Sequence, residues 1–186
     1  GITRDLLSRG ADGVCVDLEG AGYGSYVVGG AVRDLLLNRD PKDFDIATNA
    51  TPEQVRRCCR RSRIIGRRFQ IVHVMVGQEL IEVTTFRALH EDASATDEHG
   101  RVLRDNTFGS QSDDAARRDF TVNALYYDPY DETIHDYHHG YADLKQRTLR
   151  MIGDPQVRYR EDPVRMLRAV RLGAKLGLNL DPATRR

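Results

Sequence analysis

Short apolar blocks alternate with polar ones along this chain and predict strands and helices in succession. Ala11–Leu18 reads as a helix that stops near Gly20 and Gly22. Ser25–Val28 is a short apolar strand running directly into the pair Gly29-Gly30, and Ala31–Leu37 follows as a helix with Arg33 in its first turn. Phe44–Ala47 is a second strand. Thr51 as N-cap with Pro52 at the first helical position starts another helix, which carries a cluster of arginines. Ile71–Val76 and Leu80–Phe86 are β-rich runs parted by Gly77-Gln78, the pattern of a hairpin. From Leu89 to Asn106 the chain turns polar and acidic, which predicts an exposed, mobile loop. Asp113–Tyr127 reads as a helix turning into a strand; after Gly140 helical segments dominate, separated by Gly153-Asp154-Pro155. Alternating strands and helices followed by a helix-dominated stretch predict an α+β fold.

The glycine pair changes the picture from architecture to chemistry. Backbone N–H groups freed at a glycine-opened helix start suit a phosphate. Asp43 and Asp45 follow closely, two residues apart in an extended run, so both carboxylates can face one pocket while Phe44 and Ile46 point into the core. Glu82 lies among Ile81, Val83 and Phe86 on a central-looking strand, and a buried carboxylate without a partner is costly. Three such acids on neighbouring strands would hold two Mg²⁺ ions roughly 4 Å apart, one activating a hydroxyl and one steadying pyrophosphate. The structural alternative is that Asp43 caps a turn and Asp45 pairs with an arginine.

Two further clusters are ambiguous alone. In Arg117-Arg118-Asp119-Phe120-Thr121-Val122-Asn123, a helix would stack Asp119 on Asn123, place Arg118 at a phosphate and give Asn123 a ribose hydroxyl. An ordinary salt bridge from Arg117 or Arg118 to Asp114 explains the same residues, and by itself it is the better explanation. Glu161-Asp162-Pro163-Val164-Arg165 begins a helix along which Arg165, Arg168 and Arg171 recur every three residues. Asp162 as N-cap accounts for the start, but the arginine row also suits a base edge and phosphates.

Composition narrows the setting. The 186 residues carry 28 Lys plus Arg and 28 Asp plus Glu, so no global field advertises a nucleic-acid partner. Locally, Arg56, Arg57, Arg60, Arg61, Arg63, Arg67 and Arg68 make a dense basic surface, either a solvated face or a contact for RNA or triphosphate. Cys15, Cys58 and Cys59 have no metal spacing and point to a reduced cytoplasmic compartment. No apolar run is long enough to span a bilayer, so no membrane partner is expected. His73, His135, His138 and His139 have no cysteine partners and read as scattered surface histidines rather than a zinc site.

Gly29–Asp34, Asp43–Asp45, Arg118–Asn123 and Glu161–Arg171 resemble, in order and spacing, the class II template-independent nucleotidyltransferases, from about Tyr23 onward. That family includes bacterial poly(A) polymerases and CCA-adding tRNA nucleotidyltransferases. Ile65–Val74 and Leu103–Gly109 look like the poly(A) polymerase branch. The resemblance implies an α+β, polymerase-β-like head over residues 1–140, the start of an all-helical neck over residues 141–186, and transfer of adenylate from ATP to RNA 3′ ends by two Mg²⁺ ions. It implies that Gly29, Gly30 and Arg33 grip the triphosphate, and that Asp43 and Asp45 bind metal. Glu82 and Asp119 are both candidates for the third acid. Arg118 and Asn123 fall around the sugar and phosphates, and Asp162 and Arg165 match the protein template for the base, supported by Arg168 and Arg171. Family members run about twice this length, so the chain is expected to be a truncated piece. The rival expectations are CCA addition with CTP and ATP, and a non-catalytic nucleotide- or RNA-binding module.

Overall fold

The computed structural model describes residues 2–88, 108–161 and 164–185. The acidic run from Leu89 to Asn106 and the template candidate Asp162 lie outside these described residues.

Helix α1 (Arg9–Gly20) is capped by the Ser8 hydroxyl, which accepts from the Ala11 N–H. Strand β1 (Ser25–Val28) leads into α2 (Gly30–Leu36), then β2 (Asp45–Thr48) and α3 (Pro52–Cys58). Thr51 and Gln54 close a reciprocal capping box on α3, as the Thr-Pro start predicts. Strands β3 (Ser62–Ile65), β4 (Ile71–Val76) and β5 (Glu79–Thr85) follow, with the β4–β5 turn at Gly77 in a left-handed conformation. After α4 (Gln111–Ala116) come β6 (Leu125–Asp128), β7 (Thr133–Asp136), α5 (Gly140–Lys145), β8 (Thr148–Leu149), α6 (Pro155–Glu161), α7 (Val164–Leu176), β9 (Asn179–Leu180) and α8 (Pro182–Arg185).

Among the described residues, seven strands form one mixed sheet in the order β3-β4-β5-β2-β1-β6-β7. Every neighbouring pair is antiparallel except β2 with β5, which run parallel. The two-residue side-chain period sorts the strands into two faces. One face presents Val27, Ile46, Val72, Val74, Ile81 and Val83 to a core shared with Val14, Leu18 and Val55 of α1 and α3. The other packs Val28, Ala47 and Tyr126 against Ala115 of α4 and Ile152.

Three expected features differ. The arginine cluster is not a helix face: α3 ends at Cys58, and Arg63 lies on the edge strand β3. The stretch from Asp113 to Tyr127 does not pass from helix straight into strand. Helix α4 ends at Ala116, Arg158 of α6 donates to its terminal carbonyl at Ala116 over 2.7 Å, and residues Thr121–Asn123 form a 3-10 turn. Finally, residues 141–186 are not purely helical, because β8 and β9 pair in parallel.

Leu144, Leu149, Met151, Ala169 and Leu176 share a core with Phe120 and Val122, so the elements after Gly140 pack against the stretch between α4 and β6. Gly140 makes that packing possible. A Cβ there would lie 2.0 Å from the Thr121 carbonyl oxygen, a backbone atom with no rotamer to yield. Gly140→Ala is therefore expected to destabilise the fold by about 2 kcal/mol or more, measured as a loss in denaturant midpoint. An unchanged midpoint would show that the 3-10 turn shifts freely.

Candidate active site

The site builds outward from the β1–α2 junction. Gly29 sits at φ 72°, ψ −138°, a conformation glycine adopts without strain, and it turns the chain from β1 into α2. Its missing side chain faces the Arg118 guanidinium, whose Nη1 would lie 4.0 Å from an added Cβ. Gly30 likewise leaves room for the Arg33 guanidinium, 3.1 Å from its added Cβ. Arg33 is buried, holds Asp34 at 3.0 Å and donates from Nη1 to Asn123 Oδ1 over 2.8 Å. Gly29, Gly30, Arg33, Arg118 and Asn123 thus meet, although ninety residues separate Arg33 from Asn123.

Arg118 is held by Asp114, as the structural reading of that segment anticipated. The Asp114 carboxylate is fully buried and accepts from the Arg118 Nη2 at 3.0 Å, the Arg117 Nη2 at 3.0 Å, the Tyr126 hydroxyl at 2.6 Å and the Arg87 N–H at 2.9 Å. Burial opposes its charge, but Arg118 and Arg117 together with these hydrogen bonds hold its pKa below the ordinary carboxylate value. Arg118 also lies over the Tyr126 ring, 5.4 Å from its centroid. Asp114 and Tyr126 were not anticipated as parts of the site. The spacing of Asp114 four residues before Arg118 was the available signal.

The acids gather on the next strands of the sheet. Asp45 opens β2 and pairs in register with Glu82 on β5, so both project from the same face. Asp43 precedes β2 and is exposed. Burial, then the Glu82 charge, then the Asp43 charge push the Asp45 carboxyl up to about 6, against a small opposing pull from Arg118. That mutual repulsion is the electrostatic mark of carboxylates sharing one region. Glu82 itself is 42% exposed at its side chain, not buried as its apolar neighbours suggested, and lies 3.5 Å from His73 Nε2. Among the described residues no three such side chains are drawn to ligand spacing by the protein alone. The donor set still fits a hard divalent cation, because oxygen ligands with unrelieved repulsion are what such an ion neutralises.

Asp119 stands apart from these acids. It does not stack on Asn123 along a helix: the Asp119 carbonyl accepts from the Ile152 N–H at 2.9 Å and Thr121 donates to the Arg150 carbonyl at 3.0 Å, which keeps this stretch extended. Its carboxylate pairs with Arg168 at 3.2 Å and Arg165 at 3.5 Å, tying α7 to the segment that follows α4. Arg171, one turn further on, is exposed and is not in this pair.

Carboxylates that repel one another beside a nest of arginines make chemical sense where a metal and a nucleoside triphosphate meet, and a mixed sheet carrying them defines a nucleotidyltransferase head. The chain belongs to the poly A polymerase head domain family, which residues 25–150 match. Poly(A) polymerase I of Escherichia coli O6:H1 is 54% identical over 98% of this chain and 41% of its own length. A CCA-adding enzyme of Lactobacillus helveticus is 41% identical over 90% of this chain and 41% of its own. The solved Bacillus stearothermophilus CCA-adding enzyme in complex with CTP has a TM-score of 0.79 at 40% identity, covering 92% of this chain and 40% of that one. The chain therefore spans about two fifths of the length of these relatives. No helix among the described residues is long and apolar enough to cross a membrane.

Proposed function

We propose that this chain supplies the catalytic head, residues 1–140, and the start of the neck, residues 141–186, of an enzyme that adds adenylate from ATP to RNA 3′ ends without a template. The observation that carries this reading is the registered pair Asp45–Glu82, with Asp43 close enough to perturb it, next to the Gly29–Arg118–Arg33–Asn123 cradle. Greater identity to poly(A) polymerase I than to CCA-adding relatives favours adenylate addition over CCA addition.

Asp43, Asp45 and Glu82 are the residues that would hold Mg²⁺, which when bound supplies activation of the RNA hydroxyl and neutralises charge on the phosphates. Glu82 fits the third acid better than Asp119, which is already engaged by α7. Gly29 and Gly30 let the triphosphate approach the backbone closely, while Arg33 and Arg118 meet its oxygens with fixed guanidinium donors. Asp114 holds Arg118 in place before substrate arrives, so little reorganisation remains for the transfer step. Asn123, held by Arg33 beside this cradle, is the residue assigned to a ribose hydroxyl. Arg165 and Arg168, both paired with Asp119, are the residues assigned to the base.

The test is primer extension by the full-length polypeptide with Mg²⁺ and either ATP alone or CTP alone, on an oligo-A primer and on a tRNA lacking its 3′ end. Long A-tails from ATP with CTP ignored are expected. Short, self-limiting use of both nucleotides on tRNA would assign CCA addition instead. No transfer and no divalent-metal binding would leave a nucleotide- or RNA-binding module.

A further inference from the structure

The cross-strand register draws one row across the sheet face that carries the acids. Asp45 stands beside Glu82, Glu82 beside His73 on β4, and His73 beside Arg63 on the edge strand β3. A second row runs from Leu80 on β5 to Met75 on β4, whose N–H donates to the Arg61 carbonyl over 2.8 Å. These rows face away from the core under α1 and α3, because the alternate residues Val72, Val74, Ile81 and Val83 fill that core. Arg60, Arg61, Arg63, His73, Met75 and Leu80 line a shallow cavity of about 540 Å³ here. Arg60, Arg61 and Arg63 are exposed, Leu80 is 46% exposed, and among the described residues neither Arg60 nor Arg63 has an ion-pair partner.

We propose that this face of β3 and β4 holds the phosphates of the acceptor RNA just upstream of its 3′ end. The inference rests on the proposed transfer reaction and on where the sheet order leaves room for its two substrates. In phosphoryl transfer the attacking and leaving oxygens lie roughly in line. The triphosphate cradle is on the β1 side of Asp45, formed by Gly29, Arg33 and Arg118. The attacking hydroxyl must therefore arrive from the other side of Asp45, where β5, β4 and β3 lie. Arg63 is two strands beyond Glu82, about 10 Å at ordinary strand spacing, within reach of the last phosphates of a bound strand. Three exposed guanidiniums bordering acids that repel RNA give that strand a charge-complementary track. Leu80 and Met75 add an apolar floor on which bases can rest.

The experiment is steady-state transfer by the full-length protein and its Arg60→Ala/Arg61→Ala/Arg63→Ala variant, with single-stranded RNA and ATP varied separately across salt concentrations. The variant is expected to raise KM for RNA roughly tenfold or more and leave KM for ATP unchanged. The slope of log KM for RNA against log salt should flatten by about 2, since each lost phosphate contact on a single strand removes about 0.7. An Arg→Lys triple variant should restore most of the slope. Unchanged RNA KM and slope, with wild-type transfer intact, would overturn the proposal and assign the basic face to another partner such as an acidic protein. Absence of transfer by the wild type would instead fail the proposed function, and direct binding of RNA with the same salt slopes would still decide this face.

Discussion

Replacing Asp45 by asparagine is expected to reduce nucleotidyl transfer on the order of 10³-fold while leaving the fold intact. A carboxylate that binds a catalytic metal contributes several kcal/mol to the transition state, and each 1.36 kcal/mol is about tenfold in rate. The same substitution has a distinctive stability signature. The folded Asp45 carboxyl titrates at about 6, against 3.8 for the ordinary group, through burial and the Glu82 and Asp43 charges. Between those two values the folded state holds more protons than the unfolded state, so stability falls as pH rises through that window. At pH 7 without metal the wild type carries the whole cost of burying that charge beside Glu82 and Asp43, and the asparagine variant does not. The Tm of Asp45→Asn in chelator at pH 7 should equal or exceed that of the wild type, and the difference should close by pH 4. Near wild-type turnover would refute the metal assignment; a Tm well below wild type at pH 7 would refute the repulsion.

The second large effect is structural and concerns Asp114. Asp114→Ala removes the fully buried carboxylate that Arg117, Arg118, the Tyr126 hydroxyl and the Arg87 N–H all address. Breaking such a pair from one side strands the remaining charge, at a cost of about 3–5 kcal/mol. For a chain of this size that corresponds to roughly 6–20 °C in Tm. Because the folded pKa of Asp114 is lowered, its contribution is complete above the ordinary carboxylate range and is lost as pH falls through the folded value. The gap between wild type and variant should therefore narrow in acid. Asp114→Asn keeps the shape and one acceptor, and it should fold well enough for kinetics with a raised KM for ATP as Arg118 loses its anchor. A Tm within 2 °C of wild type for the alanine variant would show, at roughly 2–4 °C per kcal/mol, that water replaces the carboxylate without penalty.

The pieces of the site that are short and local were legible in the sequence. Gly29-Gly30 after an apolar run could only be a strand turning sharply into a helix, and Thr51-Pro52 a capped helix start. The β4–β5 hairpin followed from two β-rich runs around Gly77. The exposure of Glu82 was not legible, because apolar neighbours on a strand describe the opposite face as much as its own. The extended path around Asp119 was missed for a related reason: its backbone partners, residues 150 and 152, lie thirty residues away and outweigh local helix preference.

By itself the sequence determined which chemical groups this protein owns and the local turns that present them. Turns, caps and strand periodicity are decided by neighbouring residues, so glycine, proline and alternation suffice to write them. The tertiary structure alone decided which groups work together. The parallel pairing of β2 with β5 put Glu82 beside Asp45, and the packing of α7 drew Arg165 and Arg168 to Asp119. The edge position of β3 turned an arginine run into a basic border on the acid-bearing face. Those choices depend on register and burial between segments far apart in the chain, where many pairings satisfy the same local pattern and only the packed sheet selects one.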